Sequence, residues 1–435
     1  MNHSLDSAIA SSIEGSIWSV GRNAIEAVAL PVPMGALCQI RRRHLSPIPA
    51  EVIGFAGSIT LLAPLDGAEG ISPGDRVRLV ESSITIPVGP EMLGRVFDAA
   101  GCSIDDLPQP IAAARVALDA APLSAMQRPP ITQVLTTGVR AIDGLLTLGR
   151  GQRVGIFAGS GVGKSTLLGM MSRGTDADVI VIGLVGERGR EVQEYLQREL
   201  DPETRKRCVT IVATSDQPAL RRVQAAMAAT AVAEYFRDSG QHVLLMMDSV
   251  TRFAMAQREI GLAAGEAPTT RGYPPSVFSM LPRLVERSGI GPTGSITGIY
   301  TVLVEGDDTN EPISDALRGL LDGHFVLSRK IAHQGRYPAV DILSSLSRLQ
   351  NHLVDPTHIQ HCQVIRNLLS SYAENEDMIT IGAYPRGSNP TVDRAIVQLP
   401  AINQYLGQSS REVASWQSAT EGLKQLAVTP SPTNG

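Results

Sequence analysis

The chain has 435 residues, of which 43% are hydrophobic and 19% charged; this is enough for two or three folded domains and excludes a peptide, a lone binding module or a disordered chain. Thirty-eight Lys and Arg residues against 43 Asp and Glu give a net charge of −5, so no chain-wide basic field exists to hold a nucleic-acid backbone non-specifically. Cys38, Cys102, Cys208 and Cys362 form no CxxC pair, which argues against a disulfide framework or a structural zinc and for a reducing compartment. No secretory signal is read at the start, and the longest apolar runs, residues 179–185 and 243–247, fall far short of a membrane span. A soluble protein able to dock on a membrane machine is expected.

In chain order, residues 16–20, 24–30, 37–41, 50–55, 58–62 and 76–80 are short β-prone runs separated by Gly and Pro, which predicts a small closed β-barrel. Its domain is placed at residues 1–95. Residues 108–130 carry prolines and alanines without periodicity and read as a linker. From residue 152 to 348, apolar runs at 153–158, 179–185, 208–213, 243–247 and 296–304 alternate with helical patterns, predicting a mostly parallel sheet covered on both faces. One such helix, residues 218–239, places Leu220, Val223, Met227, Ala231 and Tyr235 on a single face. This α/β domain is placed at 96–350. Residues 351–435 read as a small helical domain whose last residues, 429–435, form a frayed tail.

The chemistry is expected where run 153–158 enters Ala158, Gly159, Ser160, Gly161, Val162, Gly163, Lys164, Ser165 and Thr166, followed by a helix-forming stretch. A glycine-rich loop before a helix turns successive N–H groups onto phosphate oxygens, and the helix dipole favours the anion. Lys164 would neutralise β- and γ-phosphate charge, and the Ser165 hydroxyl would ligate Mg²⁺. The pattern GxxxxGK[ST] has Ala158 in place of its first glycine. Asp248 closes the apolar run 243–247 and is placed to hold Mg²⁺ through water, the Walker B role; a helix N-cap is the plainer reading. Glu187 follows run 179–185 and is the candidate for polarising a water in line with the γ-phosphate, with an ion pair to Arg188 or Arg190 as its alternative.

Five motifs in order then identify a family resemblance: Gly186-Glu-Arg-Gly-Arg-Glu191, Asp248-Ser-Val-Thr-Arg-Phe253, Gly272-Tyr-Pro-Pro-Ser-Val-Phe278, Asp322-Gly-His-Phe-Val-Leu-Ser-Arg329 and the stretch from Gly335 to Arg348. They resemble the catalytic subunits of the rotary ATPase superfamily, which includes the ATP synthase β subunit, the flagellar export ATPase and the type III secretion ATPases. Residues 307–313, 322–329 and 338–348 look most like the injectisome ATPases. The resemblance implies a RecA-like P-loop core with an N-terminal β-barrel and a small C-terminal helical domain. It also implies ATP as substrate with Mg²⁺, Glu187 activating water, Arg188 and Arg252 around the γ-phosphate, Tyr337 facing adenine, and Arg348 reaching a neighbouring subunit's γ-phosphate. Implied partners are further copies in a homohexamer with the barrels as collar, a coiled-coil central stalk touched by residues 265–275, a peripheral stator, and export chaperone–effector complexes. A cytoplasmic location at the bacterial inner membrane follows from the same resemblance. Two stretches depart from the family pattern, Asp98-Ala-Ala-Gly-Cys-Ser103 and Tyr384-Pro-Arg-Gly-Ser-Asn-Pro390.

Three other functions share features of this sequence. A non-catalytic nucleotide-binding subunit would carry an amide where Glu187 stands. An RNA translocase like the transcription terminator Rho would need aromatics over a basic surface, whereas the basic run Arg41-Arg-Arg-His44 has none and reads as a solvated turn. The catalytic subunit of a proton-translocating rotary ATPase shares the core motifs but needs a distinct partner to supply the arginine.

Overall fold

In the computed structural model, residues 13–21, 24–304 and 311–428 are described; the expectations for the tail at 429–435 and for residues 307–310 lie outside them. Strands Glu14–Val20, Ile25–Val28, Leu37–Arg41, Ile48–Ala56, Ile59–Pro64 and Arg76–Glu81 close into an antiparallel barrel, in the order first, second, fifth, fourth, third, sixth. Each expected run lands on one of them. Alternation of buried and partly exposed residues from Ile48 to Gly54 turns Ile48, Ala50 and Val52 inward against Ile25, Ile40 and Val77, as a half-buried strand requires. Gly15 sits where the barrel closes: a Cβ there would lie 2.5 Å from the Val28 carbonyl oxygen. The basic run leaves strand Leu37–Arg41 after Arg41 and is otherwise a loop, with Arg42 donating to the carbonyls of Ser46 and Glu69.

The expected linker is in part a strand. Ala114–Ala117 pairs antiparallel with Thr85–Val88, and Val116 and Leu118 turn onto the core beside the buried Ile86 and Val88. A two-residue alternation among prolines is too short a signal to read in sequence. Val96–Asp98 is likewise unannounced and adds a parallel edge strand beside Cys208–Thr214.

The central sheet runs Val340–Ser347, Gly323–Leu327, Arg153–Ala158, Ser295–Leu303, His242–Asp248, Val179–Glu187, Cys208–Thr214, Val96–Asp98. All of these are parallel except Val340–Ser347, which returns antiparallel along Gly323–Leu327. One face is covered by helices Ala219–Asp238, Val250–Ala263 and Pro275–Val285. The helix Ala219–Asp238 is buried around most of its circumference rather than on one face: its alanines at 225, 226, 228, 229, 231 and 233 let neighbours approach, and Glu234 is buried in a pair with Arg287. The other face carries Lys164–Gly174 and the C-terminal helices Pro356–Thr380, Pro390–Leu406 and Trp416–Val428. Ile365, Leu368, Ile402 and Leu423 of those helices share one apolar cluster with Leu167 and Met171.

Candidate active site

Strand Arg153–Ala158 lies inside the sheet, between Ser295–Leu303 and Gly323–Leu327, so its carboxyl end opens where neighbouring parallel strands also end. The loop that follows turns through Gly161 at φ 77° and Gly163 at φ 92°, left-handed values that favour glycine. Gly163 is the N-cap of helix Lys164–Gly174, whose first N–H groups face the loop. Ala158 in place of the first glycine is accommodated because it is the buried last residue of the strand, packed in the core.

Three ionisable groups converge there. Lys164 Nζ donates to Asp248 Oδ1 at 2.5 Å and to Glu187 Oε1 at 3.4 Å. The side chains are largely enclosed, 13% exposed for Lys164 and 5% for Asp248. Asp248 stands at the end of His242–Asp248, where Thr301 Oγ1 also donates to Oδ1 at 2.7 Å. Glu187 ends its own strand with an irregularity: Val185 pairs with Ala213 and Glu187 with Thr214, leaving Gly186 as an extra residue at φ 73°. Such a bulge redirects the side chain after it. Burial works to depress the Lys164 pKa, but Asp248 and Glu187 override it and the net shift is upward. For Glu187, burial is the largest cause and pushes the carboxyl up to about 7, with Lys164 opposing and Asp248 adding to the rise.

Arg252 is brought to the same edge. Its aliphatic stem packs on Gly186, where a Cβ would lie 2.8 Å from Arg252 Cβ, and its Nε is buried without a hydrogen-bond partner. A buried unmet donor beside a phosphate loop suits an anion's oxygen. Tyr337 also arrives from far along the chain: a Cβ on Gly163 would touch its ring at 3.4 Å, and the ring is 46% exposed. Ser160 and Ser165 are exposed at the loop, Gly159 and Val162 are buried, and Thr166 donates to Glu199. For Mg²⁺, the Ser165 hydroxyl and the Asp248 carboxylate are oxygen donors of the class this ion takes. No cluster of three His, Cys, Asp or Glu residues that could hold a metal occurs among the described residues.

Two expected residues are not gathered in. Arg188 is 67% exposed and pairs with Glu191 at 3.3 Å. Arg348 lies at the opposite edge of the sheet: its N–H donates to the Asp322 carbonyl and its Nη2 to that of Arg318. Within one subunit neither reaches the phosphate loop.

Sequence reading missed Thr301 and a cleft of about 500 Å³ beside Tyr337, whose walls include Gln334, Asn403, Gln404 and Gln408. Asn403 and Gln404 sit at the end of helix Pro390–Leu406, whose pattern announces only packing, and Gln334 and Gln408 lie just past helix ends, so no local signal marks them.

The model of the ATP synthase alpha/beta family nucleotide-binding domain matches residues 138–347, and that of the T3SS EscN ATPase C-terminal domain matches residues 354–425. A flagellum-specific ATP synthase of Salmonella typhimurium is 51% identical over 93% of this chain and 91% of its own length. The SPI-2 type 3 secretion system ATPase of the same organism is 49% identical over 95% and 94%. The assembled ATPase EscN of the enteropathogenic E. coli type III secretion system superposes with a TM-score of 0.90 at 44% identity, covering 95% of this chain and all of that one. The same ATPase in complex with its central stalk EscO superposes at 0.88, with 43% identity and the same coverage.

Proposed function

This chain belongs to the family of flagellum-specific and type 3 secretion ATPases, and on that premise we propose that it is a Mg²⁺-dependent ATP hydrolase working as a homohexamer in a type III secretion apparatus. The observation that carries the enzymatic reading is the convergence of Lys164, Asp248 and Glu187 at the carboxyl edge of the sheet, beside the glycine loop. Lys164, held at fixed height by two carboxylates, offers its charge to the β- and γ-phosphates. Mg²⁺, bound through Ser165 and near Asp248, would supply charge neutralisation on the phosphate oxygens. Glu187, in its ionised form, accepts a hydrogen bond from the attacking water and orients it. The Arg252 guanidinium, with its buried free Nε, donates to phosphate oxygens as charge develops. Arg348 completes the site of an adjacent copy, and Tyr337 stacks on adenine.

Around the ring, the barrels form a collar, a coiled-coil stalk occupies the centre as EscO does for EscN, and a peripheral stator ties the ring to the inner membrane from the cytoplasm. Among the described residues no helix is long and apolar enough to cross a membrane. Hydrolysis drives release of chaperones from their export cargo and unfolding of that cargo. The test is ATP-dependent dissociation of a chaperone–effector complex by the purified protein, with Lys164→Ala as control. Dissociation by the unmodified protein and none by the variant is expected. Hydrolysis without dissociation overturns the export role, and absence of hydrolysis in the assembled protein overturns the enzymatic reading.

A further inference from the structure

Residues 407–412 cross the molecule between Tyr337 and the last turn of the phosphate-loop helix, and Gln408 is their anchor. Its backbone N–H donates to the Tyr337 carbonyl at 2.8 Å. Its side-chain amide donates to the carbonyls of Gly138 at 2.7 Å and Glu412 at 2.9 Å, while its Oε1 accepts from the Arg140 N–H at 2.9 Å. With both donors and its acceptor engaged and only 6% of its surface exposed, this side chain has one fixed orientation. A buried polar group satisfied on every side specifies geometry more than it adds net stability.

The surroundings repeat the arrangement. Arg140 donates to the carbonyls of Tyr405 and Gly407 and pairs with Glu412, and Arg173, in the last turn of helix Lys164–Gly174, donates to the Ser410 carbonyl. Gly138, which accepts from Gln408, packs so closely on Gly174 that a Cβ there would lie 2.6 Å from its Cα. Gln408 therefore bonds the backbone of Tyr337, bonds Gly138 at the base of the phosphate-loop helix, and through Arg140 is linked to the end of helix Pro390–Leu406. Gln404 and Asn403, in that helix's last turn, share with Tyr337 and Gln408 the walls of the cleft.

We infer that Gln408 is a positioning residue for the nucleotide base: it sets the Tyr337 ring and the opposite wall of the cleft at one separation, and ties that separation to the C-terminal helices. This rests on the reading of Tyr337 as the base-facing ring. It makes no contact with the phosphate loop, so its effect falls on the base and not on the triphosphate.

Inorganic tripolyphosphate, which has no base, separates this from a general structural role. Binding of ATP and of tripolyphosphate is measured by competition against a fluorescent nucleotide in the full-length protein. Gln408→Ala is expected to weaken ATP by about tenfold, the order of one lost base-stacking contact, with tripolyphosphate affinity unchanged. Gln408→Glu keeps the shape but sets a carboxylate against two carbonyls, and serves if the alanine variant does not fold; the same selective loss is expected. Equal loss for both ligands, or no loss for either, overturns the inference. Tyr337→Ala is the check on the premise: if it leaves the ratio of the two affinities unchanged, the base-facing reading falls and the inference with it, whereas a change there with none in the Gln408 variants refutes the positioning role alone.

Discussion

Tyr337 and Arg348 flank one strand, Val340–Ser347, and stand at opposite edges of the sheet: Tyr337 against Gly163 of the phosphate loop, Arg348 beside Asp322, whose carboxylate accepts from the N–H of Arg153 at the start of the phosphate-loop strand. The strand bulges, so its eight residues lie along only the five of Gly323–Leu327, and its two ends stand about 13 Å apart. The Arg348 guanidinium donates to the Arg318 carbonyl and not to the phosphate loop of its own chain, and in the proposed ring it would serve the next subunit. Mixed rings test this: Arg348→Ala and Glu187→Gln, each inactive alone, are expected to recover partial ATPase activity on co-assembly, because some sites then pair an intact acid with a neighbour's intact arginine. Arginines of this kind contribute on the order of 10³ or more in turnover. No recovery in demonstrably mixed rings would place the action of Arg348 within its own subunit or in folding.

Glu187 gives a pH signature. Its carboxyl is raised to about 7 chiefly by burial, and only the ionised form can act as a base toward water, so kcat/KM is expected to fall as pH drops below about 7 and to level off above it. Glu187→Gln is expected to lower turnover by about 10² to 10³ while retaining ATP binding. Retention of most turnover in that variant would remove Glu187 from the chemistry.

The barrel is tied to the ATPase core by Gln224 Nε2 donating to Glu51 Oε2 at 2.8 Å and by Arg221 pairing with Asp66. Glu51 is raised to about 7 first by burial, with the Gln224 hydrogen bond opposing and Asp119, itself paired with Arg283, adding to the rise. A carboxyl whose folded pKa exceeds its unfolded one favours the folded state fully below the unfolded pKa, near 4.5, and loses that contribution as pH rises through about 7. Glu51→Gln is therefore expected to be more stable than the unmodified protein at alkaline pH, by on the order of 2 kcal/mol, with the difference shrinking toward acid. Thermal midpoints of the two proteins across that range are the measurement, and a difference independent of pH would contradict the assignment.

Residues 265–274 form a turn-rich segment stiffened from within: Thr269 Oγ1 donates to the Tyr273 carbonyl at 2.6 Å, and the Arg258 guanidinium lies over the Tyr273 ring at 5.4 Å. Thr269 itself is exposed. A crosslinker at this position is expected to capture a coiled-coil stalk protein in assembled complexes. Crosslinks only to other copies of this chain would show that the segment lies in the ring interface instead.

What the sequence determined by itself was set by local rules. The barrel strands follow from period-two alternation between turn formers, the five apolar runs of the parallel sheet from their length and flanks, and the phosphate loop from glycines and Lys164 between a strand and a helix. Elements without a strong local signal were not legible: the edge strand Val96–Asp98 and the ribbon strand Ala114–Ala117 are short and exist because a neighbour offers unpaired backbone groups. The site divides along the same line. Glu187 and Asp248 could be chosen because acids at the ends of buried strands are conspicuous, but that Lys164 bonds both, that Thr301 shares Asp248, and that the Gly186 bulge turns Glu187 inward depend on how separate strands are ordered in the sheet. The placement of Arg188 in solvent, of Arg348 at the far edge and of Gln408 against Tyr337 was decided only by tertiary structure. Apart from the local Arg188–Glu191 pair, those relations join residues tens of positions apart, and no periodicity along a chain encodes which distant backbone a side chain will meet.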